Sequence, residues 1–389
     1  MQEAVIVSYA RTPVGKAKKG TLKDTQPVEF GAAALAAVLE RTPGLDPATI
    51  DDIMVGCAMP EGEQGLNMAR LIALQAGLPV EVPATTCNRF CSSGSQTIAW
   101  AADVIRSGNA DVIVAGGVES MSMVPMSGYK AVAHPGLLAS HPAAYDSMGA
   151  TAEEVARQFG ISRQEQEVFA LRSHERALAA VAEGKFEEEI APFEVEVHDG
   201  KQWRKTVFDK DEGPRAGSSL EALAKLRPAF DPKGTVTAAT SSQMSDGAAF
   251  VVLMSEAKAR ELGLEPIATV RGWAAAGVPP EVMGIGPVKA VPKLLGRLGL
   301  EVKDIDLVEL NEAFASQSLY CIRELGFADD QVNVNGGAIA TGHPLGATGA
   351  ILTCKILGEM KRRNARRGMV TMCIGGGMGF AYLLERNPT

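Results

Sequence analysis

The stretch "GHPLGATGAILTCKILGEM", residues 342–360, starts in glycine and proline and then runs into small and branched apolar residues at helical spacing. The same grammar occurs earlier, in "CSSGSQTIAWAADVIRSG" (91–108). Each copy reads as a turn that opens a helix, and each leads to an apolar strand ending in glycines, "DVIVAGG" (111–117) and "GMVTMCIGGG" (368–377). Upstream, "LDPATIDDIMVGCAM" (45–59) parallels "LEVKDIDLVELNEAF" (300–314), each read as a capped helix feeding a buried strand. With "AVIVS" (4–8) as a first strand, the chain is predicted to be α/β, built from two duplicated halves packed against each other.

Between the halves the character changes. The segment 121–244 holds four of the five histidines and a helix opened by a Ser162–Glu165 capping box. Further on it is loop-rich and charged, "EVEVHDGKQWRKTVFDKDEGPR", and 201–233 carries eight basic residues against five acidic ones. An anionic ligand requires such a local basic patch, although charge alone equally describes a solvated insertion. The expected division is an N-terminal half over 1–120 completed by about 245–268, an inserted domain over 121–244, and a C-terminal half over 269–389.

Composition bounds the function. A chain of 389 residues with 46% apolar content can bury a large core. Its net charge of -8 argues against general affinity for nucleic acid or anionic membrane. No apolar run reaches membrane-span length and the first residues do not read as a signal peptide, so a soluble, cytoplasmic protein is expected. Six scattered cysteines suit a reducing compartment, and neither disulfides nor a zinc site is expected from their spacing or from the five dispersed histidines.

That leaves reactive or packed thiols. Cys91 falls at the start of a helix, where unsatisfied backbone N–H groups favour thiolate, whereas Cys87 belongs to the approaching strand and is expected to be buried. Packing alone would also explain Cys91, since free cysteine is often a small buried hydrophobe. A base is offered by His343, set among glycines before a helix. Cys373 ends a strand and precedes "IGGGMG", whose backbone N–H groups suit an oxyanion site.

The segments "NRFCSSG" (88–94), "NEAFA" (311–315), "GGAIATGHPLGATGA" (336–350) and "CIGGGMG" (373–379) resemble, in order, the four signature segments of the thiolase family. The likeness extends to "RTPVG", "KLRPAFDPKGTVTA" and "MGIGPVKA" and so runs essentially end to end. The resemblance implies a layered α-β-α-β-α core with an inserted loop domain. It implies that Cys91 is the acylated nucleophile, His343 its activator and Cys373 the acid/base at the α-carbon. Asn311, through a water shared with His343, would stabilise an enolate oxygen, and the N–H groups of Cys91 and Gly375 would form a second oxyanion site. Coenzyme A and acyl-CoA would be substrates, with no metal or redox cofactor, and Arg215, Leu226, Ala238 and Ser242 match the coenzyme A positions. A homodimer or homotetramer is the corresponding expectation.

The chain departs from acetoacetyl-forming members at "SMGATAEE" (147–154), where Ser147 stands in place of a histidine. With "NRFCSSG", this inclines the reading to a broad 3-ketoacyl-CoA thiolase over an acetoacetyl-CoA-specific enzyme. A decarboxylating ketoacyl synthase uses two histidines where this chain offers His343 and Cys373. All four reactive positions are present, which tells against a non-catalytic acyl-CoA- or lipid-binding relative without removing it, and a nicotinamide dehydrogenase needs a GxGxxG spacing that is missing. Met121, Met123, Met126 and Met148 are expected in packing, Trp203 as a local loop anchor and Glu312 as a residue that orients its neighbours.

Overall fold

The computed structural model describes residues 2–387. The first half runs β1 (Ala4–Arg11), β2 (Gly15–Lys16), α1 (Pro27–Glu40), β3 (Asp52–Gly56), α2 (Met68–Gln75), β4 (Ala84–Cys87), α3 (Ser93–Arg106) and β5 (Val112–Ser120). The chain then leaves the sheet for α4 (Pro135–Ser140), α5 (Met148–Gln158), α6 (Arg163–Ala182), the hairpin β6 (Phe193–His198) and β7 (Trp203–Phe208), and α7 (Leu220–Ala224). It returns as β8 (Ser245–Ser255) and α8 (Glu256–Glu261). The second half runs β9 (Ala268–Gly277), α9 (Gly286–Leu298), β10 (Leu307–Leu310), α10 (Ala315–Leu325), α11 (Ala338–Thr341), α12 (Leu345–Arg362), β11 (Arg367–Ile374) and β12 (Met378–Glu385).

The strand order β10-β11-β12-β9-β1-β8-β5-β3-β4 makes the duplication explicit. β3 lies parallel to β5 and β10 parallel to β11, with Asp52 opposite Ile113 and Leu307 opposite Gly368. In both halves the next two pairings are antiparallel, β5–β8–β1 and β11–β12–β9. The halves meet where β1 and β9 pair over Val5–Thr269 and Ile6–Ala268. The main asymmetry is the connection after the parallel pair. Where β5 and β8 are separated by the long excursion, β11 and β12 are joined by a tight turn with Gly376 and Gly377 at φ 81° and 87°, and a Cβ on Gly377 would lie 2.3 Å from Val278 O.

α3 and α12 fill the space between the two halves of this sheet, each half a sheet of its own. Ile98, Ile105, Ile351, Leu352 and Ile356 pack there with Ile113 and Val251 of one sheet and Val370 and Phe380 of the other. Each such fully buried side chain contributes roughly 1.5–3 kcal/mol. α12 is buried on every face from Leu345 to Met360, which explains why its sequence is apolar all round. Glycine lets the two helices touch: a Cβ on Gly349 would lie 2.2 Å from Ser95 Oγ, and one on Gly94 2.9 Å from Gly346 O. α1 and α2 cover the outer face of one sheet, α9 and α10 that of the other, completing the layers α-β-α-β-α.

One expectation changes in detail. The capped helices read at 45–51 and 300–306 are single 3-10 turns, Pro47–Thr49 and Val302–Asp304, because so short a stretch cannot repay helix nucleation before the strand begins. Among the described residues, no helix is long and apolar enough to cross a membrane.

Candidate active site

Three chain segments converge at one end of the sheets. Cys91 sits in a 3-10 turn, Phe90–Ser92, just before α3; His343 links α11 to α12; Cys373 is the penultimate residue of β11. All three line one cavity of about 370 Å³. Phe90, immediately before Cys91, takes φ 43°, a left-handed conformation that costs a bulky residue of order 1–3 kcal/mol and turns the thiol toward the cavity floor. Asn88 Oδ1 accepts from Phe90 N at 2.8 Å and Ser93 Oγ from Arg89 N at 2.9 Å, fixing the bend.

The thiol is not the resting thiolate anticipated from its helix position. The N–H groups of Gly375 and of Cys91 itself do pull it down, but burial outweighs them and pushes it up to about 11, with Glu119 adding to the rise. Burial also pushes the Cys373 thiol well up, with the charge of Cys91 next in effect. His343 is driven down to about 4 by the same burial, so near neutral pH the site holds two thiols and a neutral imidazole.

That imidazole is oriented. Thr348 Oγ1 lies 2.6 Å from His343 Nδ1 and donates to Pro344 O at 2.9 Å, so it accepts from Nδ1–H and leaves Nε2 as the basic nitrogen. Asn311 Nδ2 is 3.3 Å from Nε2, and its buried Oδ1 has no hydrogen-bond partner among the described residues. Beside it, Glu312 accepts from Ser173 Oγ at 2.6 Å, Asn333 Nδ2 at 2.9 Å and Ile339 N at 3.2 Å, the orienting arrangement expected of it. The backbone of His343 is held by Gln243 O at 3.0 Å and Ser245 Oγ at 3.2 Å.

Ala238 and Ser242 line the same cavity. Ala238 also lines a neighbouring one of about 270 Å³, together with Arg215 and Leu226. His174 faces that second cavity and is held down to about 4 by burial, then by Arg215 and Lys16, which marks a local concentration of positive charge. The rest of the basic run is dispersed: Arg204 pairs with Asp199 and Lys205 with Glu194 on the exposed hairpin, where Trp203 stacks edge-on against His198.

Met121 and Met148 pack against buried apolar clusters as expected, and the methionines also serve as pocket wall. Met121, Met126 and Met148, with Met244 and Met283, form much of the cavity wall, and Phe230 meets Phe314 edge-on at 5.9 Å across it. Ser147 is the N-cap of α5, accepting from Ala150 N at 3.3 Å. Thr348, Phe230, Phe314 and the more distant methionines escaped sequence reading; only Thr348 had a local signal, a hydroxyl one turn past a histidine at a helix start. Among the described residues, no group of three or more His, Cys, Asp and Glu could hold a metal ion.

The chain matches the family model described as the thiolase N-terminal domain over residues 4–257, and that of the thiolase C-terminal domain over 264–386. The chain belongs to the thiolase family. A 3-ketoacyl-CoA thiolase of Bacillus subtilis is 56% identical, covering 99% of this chain and 100% of the relative. An acetyl-CoA acetyltransferase of Pseudomonas aeruginosa is 46% identical and covers 100% of both. The crystal structure of a Bacillus anthracis acetyl-CoA acetyltransferase superposes with a TM-score of 0.91 at 40% identity, over 99% of each chain. This thiolase therefore shares the architecture of that solved structure over nearly its whole length.

Proposed function

We propose that the protein is a 3-ketoacyl-CoA thiolase, an acyltransferase that cleaves 3-ketoacyl-CoA with coenzyme A to acetyl-CoA and a shortened acyl-CoA, or runs the reverse condensation. One observation carries the reading: two buried thiols and a neutral, oriented imidazole line a single cavity, with the N–H groups of Cys91 and Gly375 directed at one sulfur. In the cleavage direction His343 Nε2 takes the Cys91 proton and the sulfur attacks the 3-keto carbon. The carbon–carbon bond then breaks, the enolate of acetyl-CoA is protonated at its α-carbon by Cys373, and coenzyme A takes the acyl group from Cys91. Thiolate suits both steps because it attacks and leaves well. The Cys91 and Gly375 donors would each lower a tetrahedral barrier by about 3 kcal/mol, and Asn311 with His343 would serve the enolate oxygen.

Coenzyme A would enter along the second cavity, its anionic end near Arg215 and Lys16 and its thiol end passing Leu226, Ala238 and Ser242. Residues 121–244 would thus act as a loop domain for the nucleotide portion. A wall of five methionines adapts its shape at little cost, which favours a broad range of acyl lengths over acetoacetyl-CoA alone. The sheet ends at the edge strand β4, near exposed Leu66, Leu71, Leu74 and Val80, which favours a homo-oligomer, a homodimer or homotetramer. Thiolysis rates on 3-ketoacyl-CoAs of increasing length test the assignment: cleavage across several lengths is expected, cleavage of acetoacetyl-CoA alone would return the narrower enzyme, and no cleavage of any would remove it.

A further inference from the structure

The duplication places two comparable cradles at the centre of the molecule, and only one faces the cavity. Reciprocal contacts of Gly94 with α12 and Gly349 with α3 pair the two helices residue for residue, which sets Cys91 opposite Gly346 in the repeat. The strand registers set Gly375 opposite Ser120 in the same way, since Ile113 and Gly368 hold equivalent positions against β3 and β10. In the first cradle the N–H groups of Cys91 and Gly375 point at the Cys91 sulfur. In the second, the corresponding N–H groups are filled from inside the chain. Gly346 N donates to Glu119 Oε2 at 2.7 Å, and Ser120 N donates to Gln64 Oε1.

Glu119 is buried and gathers donors from four places. Ala58 N reaches it at 2.8 Å, Met59 N at 3.3 Å, Gln64 Nε2 at 2.7 Å and Gly346 N at 2.7 Å, with Cys57 Sγ at 3.9 Å. Burial raises the Glu119 carboxyl above its ordinary value, while the Gln64 side chain and the N–H groups of Ala58, Gly346 and Met59 pull it back; these four donors, one of them from the first turn of a long helix, favour the ionised form. Through these bonds the loop after β3, the turn at Gln64 and the end of β5 are tied to the first turn of α12, one residue beyond the Pro344–Leu345 step that follows His343.

We propose that Glu119 is a positioning residue for acyl transfer: its carboxylate occupies the second cradle and so fixes the start of α12, and with it His343, against the half that carries Cys91. The inference rests on the thiolase reading for its catalytic consequence and on geometry for the rest. Its charge adds to the rise of the Cys91 thiol, and His343 and Cys373 line the same cavity as that thiol.

The test is Glu119→Gln, with Glu119→Asp beside it. Glutamine keeps the shape but turns an NH2 group on at least one of the converging donors and removes the charge. The expected result is a folded protein with kcat reduced about 10–100-fold and KM little changed, since small misplacement of a reacting group costs this much. The pH midpoint for alkylation of Cys91 by iodoacetamide should fall, because a neighbouring negative charge is gone. Aspartate keeps the charge and loses reach, so E119D should lower kcat while leaving the alkylation midpoint in place. Wild-type kcat or an unmoved midpoint in folded E119Q overturns the proposal. If E119Q does not fold, wild-type kcat in E119D overturns it, and failure of both variants to fold makes the residue merely structural, which overturns it as well. Alkylation needs no acyl-CoA, so failure here is distinguishable from failure of the thiolase assignment, which the wild-type protein alone reports.

Discussion

Replacing Thr348 with valine removes one hydroxyl from beneath the His343 imidazole while nearly preserving volume. In the native site Thr348 Oγ1 spends its proton on Pro344 O at 2.9 Å and accepts from His343 Nδ1 at 2.6 Å. Valine leaves that buried N–H without an acceptor, at a cost of about 1–3 kcal/mol. The ring has two ways out. It can tilt toward another acceptor, losing its line to Cys91, or move its proton to Nε2, which abolishes the base. Either route raises the barrier to deprotonating a thiol that burial already holds up at about 11. At 1.36 kcal/mol per decade, the cost corresponds to a fall of roughly 5- to 150-fold in the rate of Cys91 acylation. The assay is rapid-quench acylation by acetyl-CoA, with the adduct followed by mass spectrometry and T348S as the control that restores the hydroxyl. Acylation of T348V within twofold of wild type, in a protein that melts normally, would refute the assigned tautomer and with it the role of Thr348.

Other outcomes follow from the same geometry. Alkylation of Cys91 by iodoacetamide should climb with pH toward about 11, whereas acylation by acetyl-CoA, served by His343, should already be on its plateau at neutral pH and fall only as pH drops toward about 4. Coincident profiles for the two reactions would contradict a neutral thiol–imidazole pair. Lys355 Nζ lies 3.0 Å from Glu309 Oε2 in the core, and burial pushes Glu309 up to about 7 despite that partner. Lys355→Met should destabilise by about 3–5 kcal/mol. Because Glu309 already binds its proton more tightly folded than unfolded, its burial is least costly at low pH, and the K355M penalty should shrink as pH falls from 8 to 5; urea melts at both values decide it. Gly349→Ala should lower stability by about 1–3 kcal/mol, because the new methyl would sit 2.2 Å from Ser95 Oγ between two packed helices; an unchanged melting midpoint would argue against the close crossing.

The α/β class and the duplication were legible because glycine-led helices and apolar strands repeat at matching places, and periodicity reports local structure; the layering came only with the family resemblance. Cys87 as the buried end of a strand, Cys91 at a helix start and Cys373 at a strand end all emerged from neighbours within a few residues. What stayed hidden depends on contacts between distant segments. The thiol was expected to be acidic because a helix start is visible in sequence, whereas the depth of burial that reverses the shift is set by β11, α12 and the excursion closing over it. The methionines read as packing, since nothing local tells a core wall from a cavity wall. Glu119 lay unremarked at the end of "VIVAGGVES", for its partners Ala58, Gln64 and Gly346 come from two other parts of the chain.

The most direct test is to expose the protein to acetyl-CoA without a second substrate, digest it and locate the acetyl group by mass. A single acetyl thioester on Cys91, absent from C91S and still formed slowly in C373S, is the result this mechanism predicts. An acetyl group on Cys373, on Cys87 or on any other residue in place of Cys91 would contradict it.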